Sequence, residues 1–195
     1  MGRQEERREL AKRRLLNAAL AVFIDRGYSR SSLGDVARRA GVSRTLIYHH
    51  FGSKEALLLA LHEELDRALL ERVQAAVSVQ GPPLENLVRG AKAFLQASAD
   101  LPAARIILLD TPGVPGLREH IEEGQREWAG VIEGELRRGI RDGSIVEVEA
   151  GMAARILLGA LQEAALAVLS DAKPASASHR AQESVSRLIE GLARR

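Results

Sequence analysis

Residues 32–54 read SLGDVARRAGVSRTLIYHHFGSK. Ser32-Leu33-Gly34-Asp35 opens the stretch as a capping box: the serine hydroxyl can accept from the amide of Asp35, and the carboxylate can reach back. A short helix over about 33–40 follows. Gly41-Val42-Ser43 then reads as a tight turn, because Gly41 tolerates positive φ and Ser43 can cap a third helix over 44–50. Gly52-Ser53 ends that helix and starts a fourth, with Glu55 favourably placed in its first turn. Two helices of about two turns each, joined by a glycine-containing turn, form a helix-turn-helix pattern. Ala37 is small where the two helices must cross. Val36, Ala40, Val42 and Ile47 are apolar where a three-helix core must close.

That core leaves Arg44, Thr45, Leu46, Tyr48 and His49 or His50 for the outer faces of the third helix. Arginine can fork onto guanine, and threonine can offer a hydroxyl or a methyl to a base edge. Tyrosine and histidine can reach phosphates, and Lys54 adds a charge beside the oriented amides of the next helix. Tyr48 fits a core aromatic as well, and His49 and His50 fit ordinary surface histidines. Charge distribution favours a polyanionic partner. Residues 1–55 hold twelve Lys/Arg and six Asp/Glu, whereas 56–195 hold sixteen and twenty, although the net charge of the chain is only +2. A basic N-terminal quarter is the footprint of a nucleic-acid or anionic-membrane surface, and equally of a solvated helix.

Outward from this stretch, apolar residues recur at helical spacing and no segment alternates with period two, so the fold class is all-α. A first helix covers about 5–26, with Leu16, Ala19, Leu20 and Phe23 on one face and Gly27 as its C-terminal stop. The fourth helix runs to about Val79, where Gly81-Pro82-Pro83 stops it. Further helices are predicted over about 84–100, 102–110, 117–142, 149–170 and 177–194, with DAKPASAS as a linker before the last. The division falls inside the fourth helix: 1–55 as a helix-turn-helix domain, and 56–195 as a larger helical domain joined to it by a continuous helix.

No cysteine is present, so disulfides and thiolate chemistry are excluded, and a reducing cytoplasm is the expected location. The charged N-terminus does not resemble a signal peptide, and no run reaches the roughly 18 apolar residues of a membrane span. P-loop, nucleophile-elbow, zincin and dinucleotide-binding motifs are absent, which argues against an enzyme. His62 with Glu63 or Glu64, and His120 with Glu123, form only partial metal-ligand pairs, so no metal is expected.

Beyond these features, Leu10 to Leu58 resembles the DNA-binding domain of tetracycline-repressor (TetR) family transcription regulators. The resemblance lies in FIDRGYSRSSLGDVARRAGVS and TLIYHHFGSKEALL. Its ordered set is Gly27, Asp35-Val36-Ala37, Ala40-Gly41-Val42-Ser43, Tyr48, Phe51, Lys54-Glu55 and Leu57. It implies a two-fold dimer that places each third helix in a major groove of a palindromic operator. Ser32, Arg44, Thr45, Tyr48, His50 and Lys54 match the family's DNA-contacting places, and Phe51 matches a core place. There are two departures. Leu46 stands where a threonine is often found, and Gly34 where some members carry a long base-reading side chain. The implied function is a repressor released by a small molecule. Activator or dual control, and non-specific DNA binding, are the alternatives.

In the larger domain, residues 149–170 are apolar on most faces, so burial nearly all round is expected. The resemblance implies that the last two helices pair across a dimer, with Leu157, Leu161, Val185, Leu188, Ile189 and Leu192 at the interface. Burial inside one chain is the other reading of these residues. A dimer also suits half-sites about 34 Å apart. The middle helices are expected to enclose an apolar or amphipathic effector. Phe94, Ile107, Leu108, Trp128, Ile132 and Gln162 are candidates to line its pocket, though each also fits a plain core. Asp110 and Arg105, in ARIILLDTPG, could hook a polar group or mark a hinge.

Overall fold

In the computed structural model, which describes residues 2–100 and 102–194, the regular elements are helices, apart from one isolated antiparallel bridge between Ile145 and Ala193. They are α1 (Arg3–Arg26), α2 (Leu33–Ala40), α3 (Arg44–Phe51), α4 (Lys54–Ala76), α5 (Pro83–Asp100), α6 (Pro102–Arg105), α7 (Arg118–Asp142), α8 (Ala150–Ser170) and α9 (Pro174–Glu190). The all-α class, the N-terminal three-helix bundle and the continuous helix leaving it are as the sequence predicts.

Two hydrophobic cores meet along α4. The first is closed by Leu15, Leu16, Ala19 and Phe23 of α1, Val36 and Ala37 of α2, Ile47 of α3, and Leu57, Leu58 and Leu61 of α4. Fully burying each large aliphatic side chain stabilises by about 1.5–3 kcal/mol, which is how the two short helices α2 and α3 are held against α1 and α4. Leu20, expected on the buried stripe of α1, is only half-buried; Leu15 is fully buried in its place. Gly41 adopts the left-handed conformation that ends α2, at φ 66° and ψ 36°. Arg14 Nη2 donates to Ala40 O at 3.3 Å and ties α1 to that corner. The second core begins at Leu69 and is built around α5, which packs on α4, α7, α8 and α9.

Several boundaries differ from the sequence reading, each for a local reason. Helix α4 stops at Ala76, because Asn86 clasps the following loop: its Oδ1 accepts from Ser78 N at 3.2 Å and its Nδ2 donates to Ser78 O at 2.7 Å. Most of DAKPASAS is helical. Pro174 occupies the first turn of α9, where a missing N–H costs nothing, and α9 ends at Glu190 rather than 194. The predicted helix over 102–110 is α6 followed by a π-helical turn, Ile106–Asp110. Thr111 closes that turn, with both its N–H and its hydroxyl donating to Ile106 O.

The C-terminal end is pinned by a short return segment. Ile145 N donates to Gly139 O, Val146 N to Leu192 O, and Arg194 N to Ser144 O. Gly139 lies inside α7, where glycine is a poor helix former, but a Cβ there would overlap the Ile145 side chain. Close approach of Ile145 explains the residue. Gly139→Ala is expected to cost about 1–3 kcal/mol by overpacking, despite its better helix propensity. A raised thermal midpoint in calorimetry would show instead that Ile145 yields freely.

Helix α8 departs from expectation twice. It is not buried all round: Met152 is 55% exposed and Ile156 64%, while Ala154, Leu158, Leu161, Ala165 and Val168 face the core. It is also long and apolar enough to cross a membrane by length and composition, with a mean hydropathy of 1.6 over an 18-residue window. Here it packs on α5, α7 and α9.

Candidate functional site

The capping box of α2 forms as the sequence implies. Asp35 N donates to Ser32 Oγ at 3.2 Å, and Ser32 N donates to Asp35 Oδ2 at 3.0 Å. The Ser32 hydroxyl also donates to Asp35 Oδ2 at 2.6 Å. That hydrogen bond is the main reason the Asp35 carboxyl lies below its ordinary pKa; Arg26 and Arg38, at 3.2 and 3.4 Å, act in the same direction. The serine proton is therefore directed at Asp35 and not outward. Ser32 sets the start of α2.

Helix α3 stands on Ile47, which is fully buried. Arg44, Thr45 and Tyr48 are exposed, and Leu46 and His50 are half-buried. Tyr48 is 54% exposed, which decides against a core aromatic. The guanidinium of Arg44 lies over Gly34, its Nε and Nη2 both 3.1 Å from where a Cβ would be. The missing side chain at Gly34 is thus the space in which Arg44 rests.

Lys54 is turned inward. Its Nζ donates to Tyr28 O at 3.1 Å and Ser31 O at 3.0 Å, and lies 4.1 Å from the centroid of the Tyr28 ring. It clips the start of α4 to the loop before α2. Tyr28 donates to Glu55 at 3.4 Å, and its phenol is pushed up to about 12 by burial and then by the Glu55 charge. The His50 imidazole is pushed below its ordinary value, first by burial, then by the charges of His49, Arg8 and Lys12. Arg8 and Lys12 of α1 therefore flank the C-terminal end of α3. Neither is in the predicted contact set.

The predicted effector residues divide between two cavities. A cavity of about 790 Å³ is lined by Val73, Leu87, Phe94, Trp128, Ile132 and Leu161 among others. Its polar lining includes Gln74, Asn86, Glu135 and Arg138. There Arg138 Nη1 donates to both Glu135 oxygens, and its Nη2 to Gly81 O at 2.8 Å. A second cavity of about 130 Å³ takes Ile107, Leu108 and Gln162, with Phe94 and Trp128 shared between the two. Arg105 and Asp110, predicted hooks, line neither. Burial pushes the Asp110 carboxyl up, and its Oδ2 is enclosed with no hydrogen-bond partner.

His62 of α4 borders the smaller cavity and was read from sequence only as half of a metal pair. Among the described residues no group of three or more His, Asp or Glu is placed to hold a metal. Burial pushes the His62 imidazole below its ordinary value, against the opposing pull of Asp66 and Glu63. The unfolded chain, with histidine near pKa ~6.5, takes up the proton before the folded chain does. Stability therefore rises with pH just below about 6.5 and falls on acidification through that window; His50 acts in the same sense. His62→Leu is expected to flatten part of the loss between about pH 7 and 5, read from denaturant midpoints. Parallel profiles for the two proteins would show that His62 ionises freely.

The six predicted interface residues are placed unequally. Leu161, Val185 and Ile189 lie in the chain's own core, and Leu157 and Leu192 pack half-buried against it. Only Leu188 is open, at 64% exposure. The reason is the partners of α9: it packs on α5 and α8 of its own chain, which sequence periodicity could not reveal.

Residues 15–61 match the description "Bacterial regulatory proteins, tetR family", and residues 84–192 match "Tetracyclin repressor-like, C-terminal domain". The chain belongs to the TetR family of bacterial regulators. It is a DNA-binding transcriptional regulator and not an enzyme. It is 27% identical over 152 residues to the fatty acid metabolism regulator protein of Bacillus subtilis, an alignment spanning 76% of this chain and 78% of that protein. Other curated relatives align over 28%, 40% and 37% of their own lengths. Among solved structures, a TetR-family regulator from Pectobacterium atrosepticum superposes with a TM-score of 0.79 at 27% identity, covering 100% of this chain and 99% of that one. The Bacillus subtilis regulator FadR, solved in complex with stearoyl-CoA, gives 0.80 at 25% identity, covering 90% and 96%.

Proposed function

We propose that this chain is a cytoplasmic repressor that binds a palindromic operator as a homodimer and is released by a long-chain acyl effector. The observation that carries this reading is one continuous path from an exposed reading helix to an apolar cavity. Arg44, Thr45 and Tyr48 present the polar face of α3, with His50, Arg8 and Lys12 beside it. Residues 1–55 act as the DNA-binding unit and 56–195 as the effector and dimerisation unit. Ile106 and Leu117 pack into the core of the DNA-binding helices, whereas the adjacent Ile107 and Leu108 line the smaller cavity. A change in cavity occupancy therefore bears on the helices that set the position of α3.

Chemistry supports the ligand class. The larger cavity falls within the roughly 300–1,000 Å³ of small-molecule sites. Its body is aliphatic and aromatic, and its polar lining includes Asn86 and the ion-paired Glu135 and Arg138, which suits an uncharged polar group such as a thioester. The likeness to a fatty acid regulator, and to a structure holding stearoyl-CoA, points the same way. Release needs only that the effector prefer one conformation over the other by about 1–3 kcal/mol or more.

For the dimer we assign the open face of α8 and α9. Ile156 and Leu188 are exposed, and Gly159 and Ala167 are exposed small residues that admit close helix approach. The test is selection of genomic DNA fragments from the source organism at near-physiological salt, followed by challenge with stearoyl-CoA. A sharp two-fold symmetric motif, lost on adding stearoyl-CoA, is expected. Diffuse recovery that weakens uniformly with salt would mean phosphate-only binding. A motif that persists under stearoyl-CoA would reject the acyl effector and leave operator recognition standing.

A further inference from the structure

Trp128 belongs to two sets of contacts. Its ring lines the cavity of about 790 Å³ and, with Phe94, forms the aromatic wall shared with the smaller cavity. The two rings meet edge to face with centroids 5.6 Å apart. The indole N–H reaches another helix: Nε1 donates to Asp66 Oδ1 of α4 at 2.9 Å. Asp66 Oδ2 lies against α7 at Gly124, where a Cβ would be 3.7 Å from it. Among the described residues, the Trp128–Asp66 bond is the one hydrogen bond that joins α7 to α4 directly.

The two helices have different attachments. α7 packs on α5 and α8, the latter carrying part of the face assigned to the dimer, and is not among the helices packed closely on α4. α4 packs on α1 and α5 and runs unbroken from Lys54 to Ala76. Leu58 and Leu61, within about two turns of Asp66, are buried in the same core as Ile47 of α3. A displacement of α4 at Asp66 is therefore carried along one helix to the seat of α3. The bond ties a cavity wall to the element that positions the reading helix.

A hydrogen bond to a carboxylate is strong, but it weakens steeply as the donor turns off line. A ligand filling the large cavity packs on the Trp128 ring, and a modest turn of that ring takes Nε1 off the carboxylate. Resting on the larger cavity being the effector site, we propose that the Trp128–Asp66 hydrogen bond is the latch through which that site controls DNA binding. Closed, it holds α4 to α7 and keeps α3 at the spacing that two half-sites require. An effector in the large cavity turns the ring, opens the bond and frees α4. The effector then prefers the open state, which is the differential affinity a switch needs. Asp66 is outside the lining of the large cavity, so it is a positioning residue that acts through Trp128.

Trp128 is the sole tryptophan, so a single indole N–H resonance in proton–nitrogen NMR reports the latch. The full chain is compared with Asp66→Leu and Asp66→Asn; asparagine keeps an acceptor oxygen and leucine does not. Stearoyl-CoA is expected to move the wild-type indole resonance toward the position it already holds in Asp66→Leu. Without ligand, Asp66→Leu should bind the selected operator at least about fivefold more weakly than wild type and lose most of its response to stearoyl-CoA. Asp66→Asn should keep both. By linkage, Asp66→Leu should bind stearoyl-CoA tighter than wild type by a similar factor, a gain that a merely structural bond would not produce. Circular dichroism and sedimentation check that fold and dimer are unchanged. An indole resonance unmoved by bound stearoyl-CoA, or a response to it that survives in Asp66→Leu, overturns the latch and leaves the effector cavity standing. If calorimetry shows no binding of stearoyl-CoA, the acyl reading fails by itself. The latch is then decided by operator affinity, and equal affinity of wild type and Asp66→Leu overturns it.

Discussion

Arg44→Ala is expected to weaken operator binding by about 1–3 kcal/mol for each half-site and to relax the base preference at the position this side chain reads. The argument begins with placement. Arg44 is the first residue of α3, is exposed, and follows the Ser43 cap, whose Oγ accepts from Leu46 N at 3.2 Å. It therefore projects from the end of α3 that enters a major groove first in helix-turn-helix docking. Its guanidinium also rests over Gly34, so part of its order is provided before DNA is met. Gly34→Gln supplies a companion test, because any side chain there displaces the guanidinium. That variant should shift base preference while leaving α2 capped by Ser32 and Asp35. Anisotropy titrations against a panel of operator variants measure both. An unchanged preference across the panel for Arg44→Ala would remove base reading from its role and leave only a phosphate contact, which weakens all sequences alike.

Leu188→Glu is expected to convert the dimer to monomers and to lower operator affinity by about 10²–10⁴-fold, the loss that follows when two linked half-site contacts become independent. Leu188 is largely exposed in the single chain, whereas its neighbour Ile189 is buried against α5. The substitution should therefore spare the fold, and circular dichroism should match the wild type. Ile189→Glu should unfold the helical domain instead, because it places an unpaired charge in the second core. Sedimentation velocity separates the outcomes. An intact dimer of Leu188→Glu would place the interface away from the open face of α8 and α9.

Much of the DNA-binding half was legible in the sequence because its determinants are local. A capping box, a left-handed glycine turn and two serine caps act over three or four residues, so Ser32, Gly41, Ser43 and Ser53 marked the element ends almost to the residue. Ile47 is buried in the three-helix core as predicted, with Ala37 in the same core, for the same reason. What local reading missed there were contacts between elements. Lys54 reaches back over 26 residues to Tyr28, and Arg44 rests on Gly34. In the larger half, the sequence marked α8 as apolar on most faces but did not give the partners of α8 or α9. Three of the six residues expected at a subunit interface are core residues, and the effector set is split by an aromatic wall.

The sequence by itself determined the helical class, the order of the elements and the chemistry of the α3 surface, since propensity, capping and charge are properties of short segments. Only the tertiary structure decided which side of each long helix is sealed. It turned Val185 and Ile189 inward, left Leu188 and Ile156 open, and set Ile106 in one core while Ile107 and Leu108 line a cavity bordering the other. Those choices follow from packing around α5 and α4, where one helix face can be buried against only one neighbour at a time. No stripe of apolar residues names that neighbour in advance.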